Sequence, residues 1–592
     1  MGDVEVVHRA QRRLAAELKE ADTYAIPLAH PKRRGFFRHF ATPRRDWVYQ
    51  KIMAPANRTL IKMMGRGVMI DQKVLSELEV ELPKEIREKR NELRHIGSGT
   101  IDQWCKYKES VDPNKGTDKA WEFDLEKKDQ LRAILFGDPT YETLPKMLDL
   151  PVQRITKQGR KLYGEEAHRW HAKIHATLIA ARRPGERIID IDGPEVRKEL
   201  RKYASVDKFT LNKLAVDFPD VRPLQEYRKV HKLYGTYVRP LRNFKSAIDK
   251  RPRTERPHLC PDGCIHAQFM LTGTRGGRLS CRDPNLQQLP KEGTVKQMYI
   301  SRFGRAGCLY GSDFSQIELR LLAAASGDPA MVEAYHNGID LHTLTTSRIF
   351  KTPYEHFSKD YMKRLEQQKR GDEAKELSLK RDIGKTVNFL TGYGGGALGL
   401  QTVLANKKIY RPVEECEEII DLFFDSYPAV RDLLAFYKDF IAANQCAVSL
   451  FGRVRQFEEV TSEDSQIRSK ALRAGCNHLI QSTASDMLLI CLSVIEDLMR
   501  DEGLDSRLIL TVHDSLVIDA LLDELDAIHS IVMDVLNNMP EVFKAVLGDD
   551  YDTSWMIVPF AGDSQVGYNY HHMKAVGEGK VDWKTVLGDR SK

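Results

Sequence analysis

The sequence predicts an α+β protein, and three stretches predict it. CLYGSD (308–313) is a short apolar run, strand-like, that ends on an aspartate and passes straight into SQIELRLLAAAS, an amphipathic helix. KRDIGKTVNFLTGYGGG (380–396) reads as a helix that ends in glycines. LILTVHDSLVID (508–519) reads as two β-branched strands around a tight His-Asp-Ser turn. At 592 residues the chain is too long for one hydrophobic core, so two or more domains are expected.

Hydrophobic residues make up 42% and charged residues 30%, the balance of a folded globular chain rather than a disordered or membrane protein. No stretch approaches the roughly 18 uninterrupted apolar residues of a membrane span. The charged opening MGDVEVVHRAQRRLAAELKE lacks the apolar segment of a secretory signal, so a cytoplasmic setting without a membrane partner is expected. Nine scattered cysteines, an odd number, fit a reducing compartment. The net charge of +7 is too small for this size to identify a nucleic-acid partner by itself. PKRRGFFRHFATPRR (31–45) is locally basic with interleaved Phe, which suits phosphates and stacked bases, and equally a solvated surface segment.

Along the chain, residues 1–50 read as a short helix and a basic loop. Helical periodicity then runs from about 55 to 100 through Ile61, Met64 and Val68, and again through Leu75, Leu78 and Leu82. GRGVMID (65–71) interrupts it as a turn with a short extended piece. Residues 105–250 are mostly helical and charged. The run 356–381 is almost wholly polar and is expected to be an exposed helical pair or a mobile insertion, with little to bury. HLCPDGCIH gathers His258, Cys260, Cys264 and His266, which could hold zinc or simply pair across a hairpin turned by Pro-Asp-Gly; the spacing departs from zinc-knuckle patterns.

Asp313, where a strand ends, and Asp514, at a hairpin tip, are acidic residues inside apolar runs. That placement costs desolvation energy unless something positive compensates. Two divalent ions about 4 Å apart can activate an attacking hydroxyl and stabilise a leaving pyrophosphate. Mg²⁺ suits carboxylates plus substrate phosphates. Taken singly, each Asp is equally well explained as a turn residue.

The surrounding words decide between these. CLYGSDFSQIELRLLAAASGD (308–328), RDIGKTVNFLTGYG (381–394) and LTVHDSLV (510–517) resemble motifs A, B and C of the family A DNA polymerases. TRGGRLSCRDPNLQQLP (274–290) and RAGCNHLIQSTASDM (473–487) resemble two further signatures of that family, in family order. The likeness reaches more thinly to MMGRGVMID near residue 55 and to VPFAGDSQVG near the C-terminus.

The resemblance implies a right-hand fold whose palm has an antiparallel sheet carrying both aspartates, with mostly helical fingers and thumb. Its expected divisions are an N-terminal basic segment at 1–54, thumb and start of palm at 55–250, palm with motif A at 251–329, fingers with motif B at 330–455, and palm with motif C at 456–592. It implies primer extension with dNTPs on a DNA template through two Mg²⁺, for which Mn²⁺ can substitute. Asp313 and Asp514, with Phe314 beside them, would hold the metals. Gln316, Glu318, His342, Arg381, Lys385, Phe389 and Tyr393 would bind the nucleotide, Lys385 also serving as general acid and Glu318 blocking the ribose 2′-position. Arg278, Asn285, Arg473, Asn477, Gln481 and His513 would contact the primer-template.

The residues themselves add to this. Arg381, Lys385, Phe389 and Tyr393 are spaced by four, and at about 100° per residue each step drifts only about 40°, so they share one stripe of a helix. GYGGGALG is not a phosphate loop, because it follows a helix rather than opening one. Ser315 and Glu318 have the spacing of a capping box at a helix start. His342 taken alone reads equally as a capping or surface residue.

Three departures from the family stand out. Motif C ends on Ser515 where an accessory carboxylate is usual, which leaves Asp313 and Asp514 as the minimum acidic set. His-Asp-Ser also resembles single-subunit RNA polymerases, and RNA synthesis is the rival reading; the Glu318 gate favours DNA. A catalytically inactive DNA-binding relative is a second rival. Neither Asp3-Val4-Glu5 nor Asp124-Leu125-Glu126 sits in a credible exonuclease strand, so proofreading by this chain is not expected, and a separately encoded exonuclease is conceivable. The polar run before Arg381 is read as an exposed insertion, or a contact for a helicase or processivity factor. The expected state is a monomer, and the Arg381-Asp382 opening of motif B leans toward a bacteriophage replicase.

Overall fold

The computed structural model describes residues 45–94, 128, 131–132, 135, 206–217, 221–242, 257–290, 294–368, 370–407, 409–548, 551–577 and 581–588. The basic segment 31–44, most of the helical region expected over 105–250, and both Asp-x-Glu sequences lie outside these residues. The chain divides into two compact units. One comprises Met1–Ser76, Pro240–Leu400 and Cys416–Lys592; the other comprises Glu77–Arg239 and Gln401–Glu415. In the second unit the described parts are helical, including Lys208–Asp217 and Arg222–Leu233, the latter burying Leu224, Tyr227 and Val230.

The first unit holds every site residue, and its sheets are antiparallel throughout. Helix α1 (Ala54–Arg66) has Pro55 in its first turn and ends at Gly67, whose positive φ of 67° turns the chain into β1 (Val68–Ile70). The turn and short strand expected at GRGVMID are thus present. The helical register differs by one residue, because α1 buries Ala56, Leu60 and Met63 whereas Ile61 is 56% exposed. β1 pairs on one side with β2 (Cys264–Ile265) and on the other with the strand Tyr299–Ile300.

The five-stranded sheet is the platform of the site. Its central strand, Gly307–Phe314, is buried nearly throughout. The hairpin strands Arg507–Val512 and Ser515–Leu521 extend it on one edge, and Gly562–Gly567 followed by Lys574–Ala575 on the other. Alternation decides what lies beneath it. Tyr310 and Ser312 point to the face opposite Asp313, where the Tyr310 hydroxyl meets His529 Nδ1 (2.9 Å) and Ser564 Oγ (2.7 Å).

After the central strand come α2 (Ile317–Ser326), α3 (Leu341–Phe350), α4 (Lys359–Gln367) and α5 (Gly371–Gly392). The polar run is therefore a helical pair, and it has a small core of its own: Phe357, Leu365, Ala374 and Leu377, with Tyr361 packed on it. α5 crosses α3 closely. A Cβ at Gly384 would stand 2.1 Å from Thr346 Oγ1, so only glycine fits there. The 37-residue α6 (Ser465–Asp501) starts with the Asp464 side chain accepting from the Gln466 and Ile467 amides. By length and composition α6 could cross a membrane, but 89% of its apolar stretch is buried inside the protein, so it is the core helix.

Ion pairs between distant segments lock this unit. Arg66 makes a bidentate pair with Glu496, both contacts 2.7 Å, and Arg302 pairs with the fully buried Asp519 at 2.8 Å. Arg453 donates from Nε and Nη2 to Asp486, which is wholly buried on α6.

Candidate active site

The sheet register gathers the acidic residues. Asp313 is the last residue but one of the central strand, and directly opposite it stand Ser515 on one neighbour and Asp563 on the other. Residues opposite one another in an antiparallel ladder share a face, so these three side chains emerge together. Asp514 precedes Ser515 at the exposed hairpin tip, where His513 takes a left-handed φ of 59° and the turn is tight. The Phe314 amide donates to the Asp514 carbonyl at 3.4 Å, tying the tip to the end of the central strand.

Asp563 adds a carboxylate to the two aspartates read from the sequence. The Ser515 hydroxyl donates to the Val512 carbonyl (2.8 Å) within the hairpin, whereas Asp563 supplies a third carboxylate on the same face as Asp313. Burial first, then the Asp514 and Asp563 charges, push the Asp313 carboxyl up from 3.8 to about 6. A field that favours a proton there equally favours a cation, and an all-oxygen donor set of this kind fits a hard divalent ion.

Three of the four stripe residues lie on the less buried face of α5, and Tyr393 is the residue that caps its C-terminal end. Arg381, Phe389 and Tyr393 are half-buried and Lys385 is exposed, while Ile383, Gly384, Val387 and Asn388 behind them are buried. Among the described residues Lys385 has no ion-pair or hydrogen-bond partner. Arg381 is held: Nη2 donates to Asp340 Oδ2 (2.9 Å) and Nε to Thr343 Oγ1 (3.3 Å). Asp340 caps α3, which carries His342. His342 is buried, its Nδ1 lies 3.0 Å from the Asn388 amide nitrogen, and its ring is 5.3 Å from that of Phe389. Burial, with Lys385 and Arg381 adding to it against Asp340, pulls His342 down to about 4, so it is a neutral hydrogen-bonding group at neutral pH.

Glu318 does not close a capping box. The N-cap of α2 is Gln316, held at a left-handed φ of 53° with no side-chain cap bond, and the Glu318 carboxylate instead accepts from Arg278 Nη2 at 2.5 Å. A cation forty residues upstream outcompetes the weak pull of a neighbouring amide. Glu318, Phe389 and Tyr393 line one cavity with Leu322, Asn388 and Ile480. The Tyr393 hydroxyl is buried there; burial first, then Glu318, drive its phenol far above the ordinary range, with Arg278 opposing and Asp514 also felt. Motif B's end and the Glu318 helix thus share this cavity.

Arg473, Asn477 and Gln481, also spaced by four, lie on the less buried side of α6, and the Asn477 carbonyl oxygen has no hydrogen-bond partner among the described residues. The Asn285 side chain accepts from the Gln287 amide (3.1 Å), and Gln287 reaches the Thr511 carbonyl (3.3 Å) on the motif C hairpin. HLCPDGCIH is a hairpin: Leu259 bridges to Ile265, the Cys260 amide donates to Cys264 (2.9 Å), and Gly263 supplies the positive φ. The four-residue zinc set is not assembled. Within this hairpin the ligand atoms of Cys260, Asp262 and His266 do lie within 4.8 Å of one another, but both His266 nitrogens are engaged, at 2.7 Å from the Met64 carbonyl and 2.9 Å from Asp262.

Residues 186–571 match the family model "DNA polymerase family A". The chain belongs to the family A DNA polymerases. Family A enzymes use divalent metal ions, in agreement with the donor set at Asp313. This family A chain is 27% identical to the DNA polymerase of Bacillus phage SP01 over 540 residues, covering 89% of the chain and 51% of that protein. It is 32% identical to DNA polymerase I of Helicobacter pylori strain J99 over 322 residues, 54% of the chain and 31% of that protein. It thus spans about half or less of the length of these curated relatives. The POL domain of Pol1 from M. smegmatis, solved with DNA primer-template and dNTP, superposes with a TM-score of 0.61 at 23% identity, over 89% of this chain and 71% of that one. That likeness gives this family A chain the polymerase right-hand fold, with its α+β character and antiparallel sheet.

The sequence missed Asp563, Asp340 and Asn388. Asp563 lies in a stretch already likened to the family's C-terminal end, but nothing local announces its strand partner.

Proposed function

We propose that this chain is a DNA-directed DNA polymerase that extends a primer 3′-end with dNTPs on a DNA template, in the replication of phage DNA. The observation that carries the proposal is an acidic sheet face (Asp313, Asp514, Asp563) in the same compact unit as α5, which carries Arg381 and Lys385, all inside the family-matched residues. Bound primer-template and dNTP in the M. smegmatis structure support those partners, and the likeness to the phage SP01 enzyme supports the phage setting.

Asp313 and Asp514, with the Phe314 carbonyl and Asp563 near them, would hold two Mg²⁺ or Mn²⁺. Such ions, when bound, make a 3′-hydroxyl more acidic and offset charge on a leaving pyrophosphate. The 3′-hydroxyl gives its proton to solvent water, its oxygen bonds to the α-phosphorus of the dNTP, and the bond from that phosphorus to the pyrophosphate oxygen breaks. Arg381, Lys385 and the neutral His342 N–H grip the β- and γ-phosphates, and Lys385 gives pyrophosphate its proton. Phe389 and Tyr393 back the sugar and base. Glu318, fixed by Arg278, stands where a 2′-hydroxyl would need space. Closure of α5 over a matched nucleotide brings these groups into register.

Primer extension with Mg²⁺, wild type against Asp514→Asn, tests the proposal. Extension with dNTPs that is lost in the variant is expected. Extension with ribonucleotides alone would replace it with RNA synthesis, and trimming of a mismatched primer would add an exonuclease activity.

A further inference from the structure

Asp340 does more than cap a helix. Its Oδ2 accepts from the Thr343 amide (3.2 Å), the Thr343 hydroxyl (2.6 Å) and Arg381 Nη2 (2.9 Å), while Oδ1 accepts from Gln316 Nε2 (3.0 Å). A cap needs only the first of these. The Thr343 hydroxyl belongs to the same helix, but Gln316 comes from the turn after Asp313 and Arg381 from α5, so one carboxylate ties together three separate pieces of the site. Gln316 is committed to the arrangement: its backbone is left-handed at φ 53°, a conformation unfavourable for a non-glycine residue. Its Oε1 accepts from the Tyr335 hydroxyl at 3.3 Å, which orients the amide so that nitrogen faces Asp340.

The consequence falls on the guanidinium of Arg381. Its Nε and Nη2 edge is turned to protein by Thr343 and Asp340, and Nη1 has no partner among the described residues. A guanidinium is a rigid planar fork, so fixing one edge aims the other. We propose that Asp340 is a positioning residue for the triphosphate: acting through Arg381, and braced by Gln316, it presents Nη1 of Arg381 to the phosphates of an incoming nucleotide. This rests on the polymerase reading above. Because the carboxylate also neutralises Arg381 when no nucleotide is present, its removal has two opposed effects. It frees a charge for phosphate, and it lets the fork wander. With two bonds and one helix register depending on it, orientation dominates.

Asp340→Ser separates positioning from capping, since serine caps a helix as well as aspartate does and carries no charge. The full chain is assayed with primer-template for dATP affinity by calorimetry and for KM and kcat by extension. About a tenfold rise in both Kd and KM is expected, the size of one lost orienting charge-assisted bond, with kcat within about threefold and an unchanged melting temperature. In an Arg381→Ala background the same substitution is expected to change Kd less than about twofold. Asp340→Asn, another good cap, is measured in parallel so that a folding defect in the serine variant does not decide the matter. An unchanged Kd in both variants, or an equal penalty with and without Arg381, overturns the inference. So does a wild-type chain that binds no dATP. Wild-type binding without extension would instead refute the polymerase reading and leave Asp340 to be judged on Kd alone.

Discussion

Replacing Asp313 by asparagine is expected to stabilise the metal-free protein while abolishing its activity. In the absence of cations, burial and the neighbouring Asp514 and Asp563 raise the Asp313 carboxyl from 3.8 to about 6. A shift of about 2 units at about 1.4 kcal/mol each gives about 3 kcal/mol of unfavourable free energy when the group is ionised. Solvent on its open side screens part of this, which leaves about 1–3 kcal/mol. Asparagine is nearly isosteric, carries no charge, and can donate to the two neighbouring carboxylates. The sign of the pH dependence follows from the raised folded-state value. The folded protein binds the extra proton between about 6 and 3.8, so Asp313 destabilises fully above about 6 and not at all below 3.8. Urea titrations of both proteins in EDTA at several pH values measure the difference. It should be largest above pH about 7 and shrink steadily toward pH about 4. Added Mg²⁺ should then stabilise the wild type more than the variant, because binding to the folded state alone shifts the equilibrium. An Asp313→Asn protein no more stable than wild type in EDTA, or a pH-independent difference, would refute the reasoning.

Two further perturbations probe other parts of the site. Glu318→Ala should weaken discrimination against ribonucleotides by about 10–200-fold in the ratio of kcat/KM values, the range expected when a pocket gains a small group's worth of space. It should also take the Glu318 partner away from Arg278, so dNTP efficiency falls as well; an unchanged ribo/deoxy ratio in single-nucleotide incorporation would remove Glu318 from sugar selection. Asp486→Asn leaves Arg453 charged and without its partner beside α6, and should cost about 3–5 kcal/mol in chemical denaturation, while Arg453→Met with Asp486→Leu should recover most of that. A loss under about 1 kcal/mol in the single variant would mean that the pair contributes no more than an exposed one.

The residues that were legible in the sequence are those whose chemistry sits in a local pattern. Asp313 was visible because an acidic residue closes an apolar run, and the α5 stripe because four positions repeat at helical spacing. The polar insertion was half legible: its helices follow from composition, but Phe357, Leu365 and Leu377 were too sparse to announce a core that forms only when two helices meet. What stayed hidden depends on strand register and on competition. Asp563 joins Asp313 only because Gly562–Gly567 pairs with a strand some 250 residues earlier, and no local pattern specifies a partner at that distance. Glu318 had the spacing of a capping box, and the spacing was misleading because Arg278 offers its carboxylate a charged donor. Asn388 was hidden as an ordinary amide in an apolar helix, although its burial against His342 and Thr345 is what fixes the ring.

The electrostatics of the free protein also bear on why the site is arranged in two halves. On the sheet face, burial and the Asp514 and Asp563 charges raise the proton affinity of Asp313, and on α5 Arg381 is compensated by Asp340 whereas Lys385 has no partner among the described residues. His342, packed against α5, is forced neutral by burial and by those same cations. Each half is therefore unfavourable alone: the sheet lacks positive charge and the helix lacks negative charge. They do not cancel by pairing with each other, because Asp340 occupies Arg381 and Lys385 is left open. A ligand that brings cations to the first half and a polyphosphate to the second satisfies both at once, and a cation-bound nucleoside triphosphate is such a ligand. A site that kept its charges mutually satisfied would be more stable and would bind that ligand less well, since fixed charges assist a reaction only when they do not have to be pulled apart first. Asp340 marks the limit of that logic: it satisfies one cation far enough to hold it still, and leaves its working edge exposed.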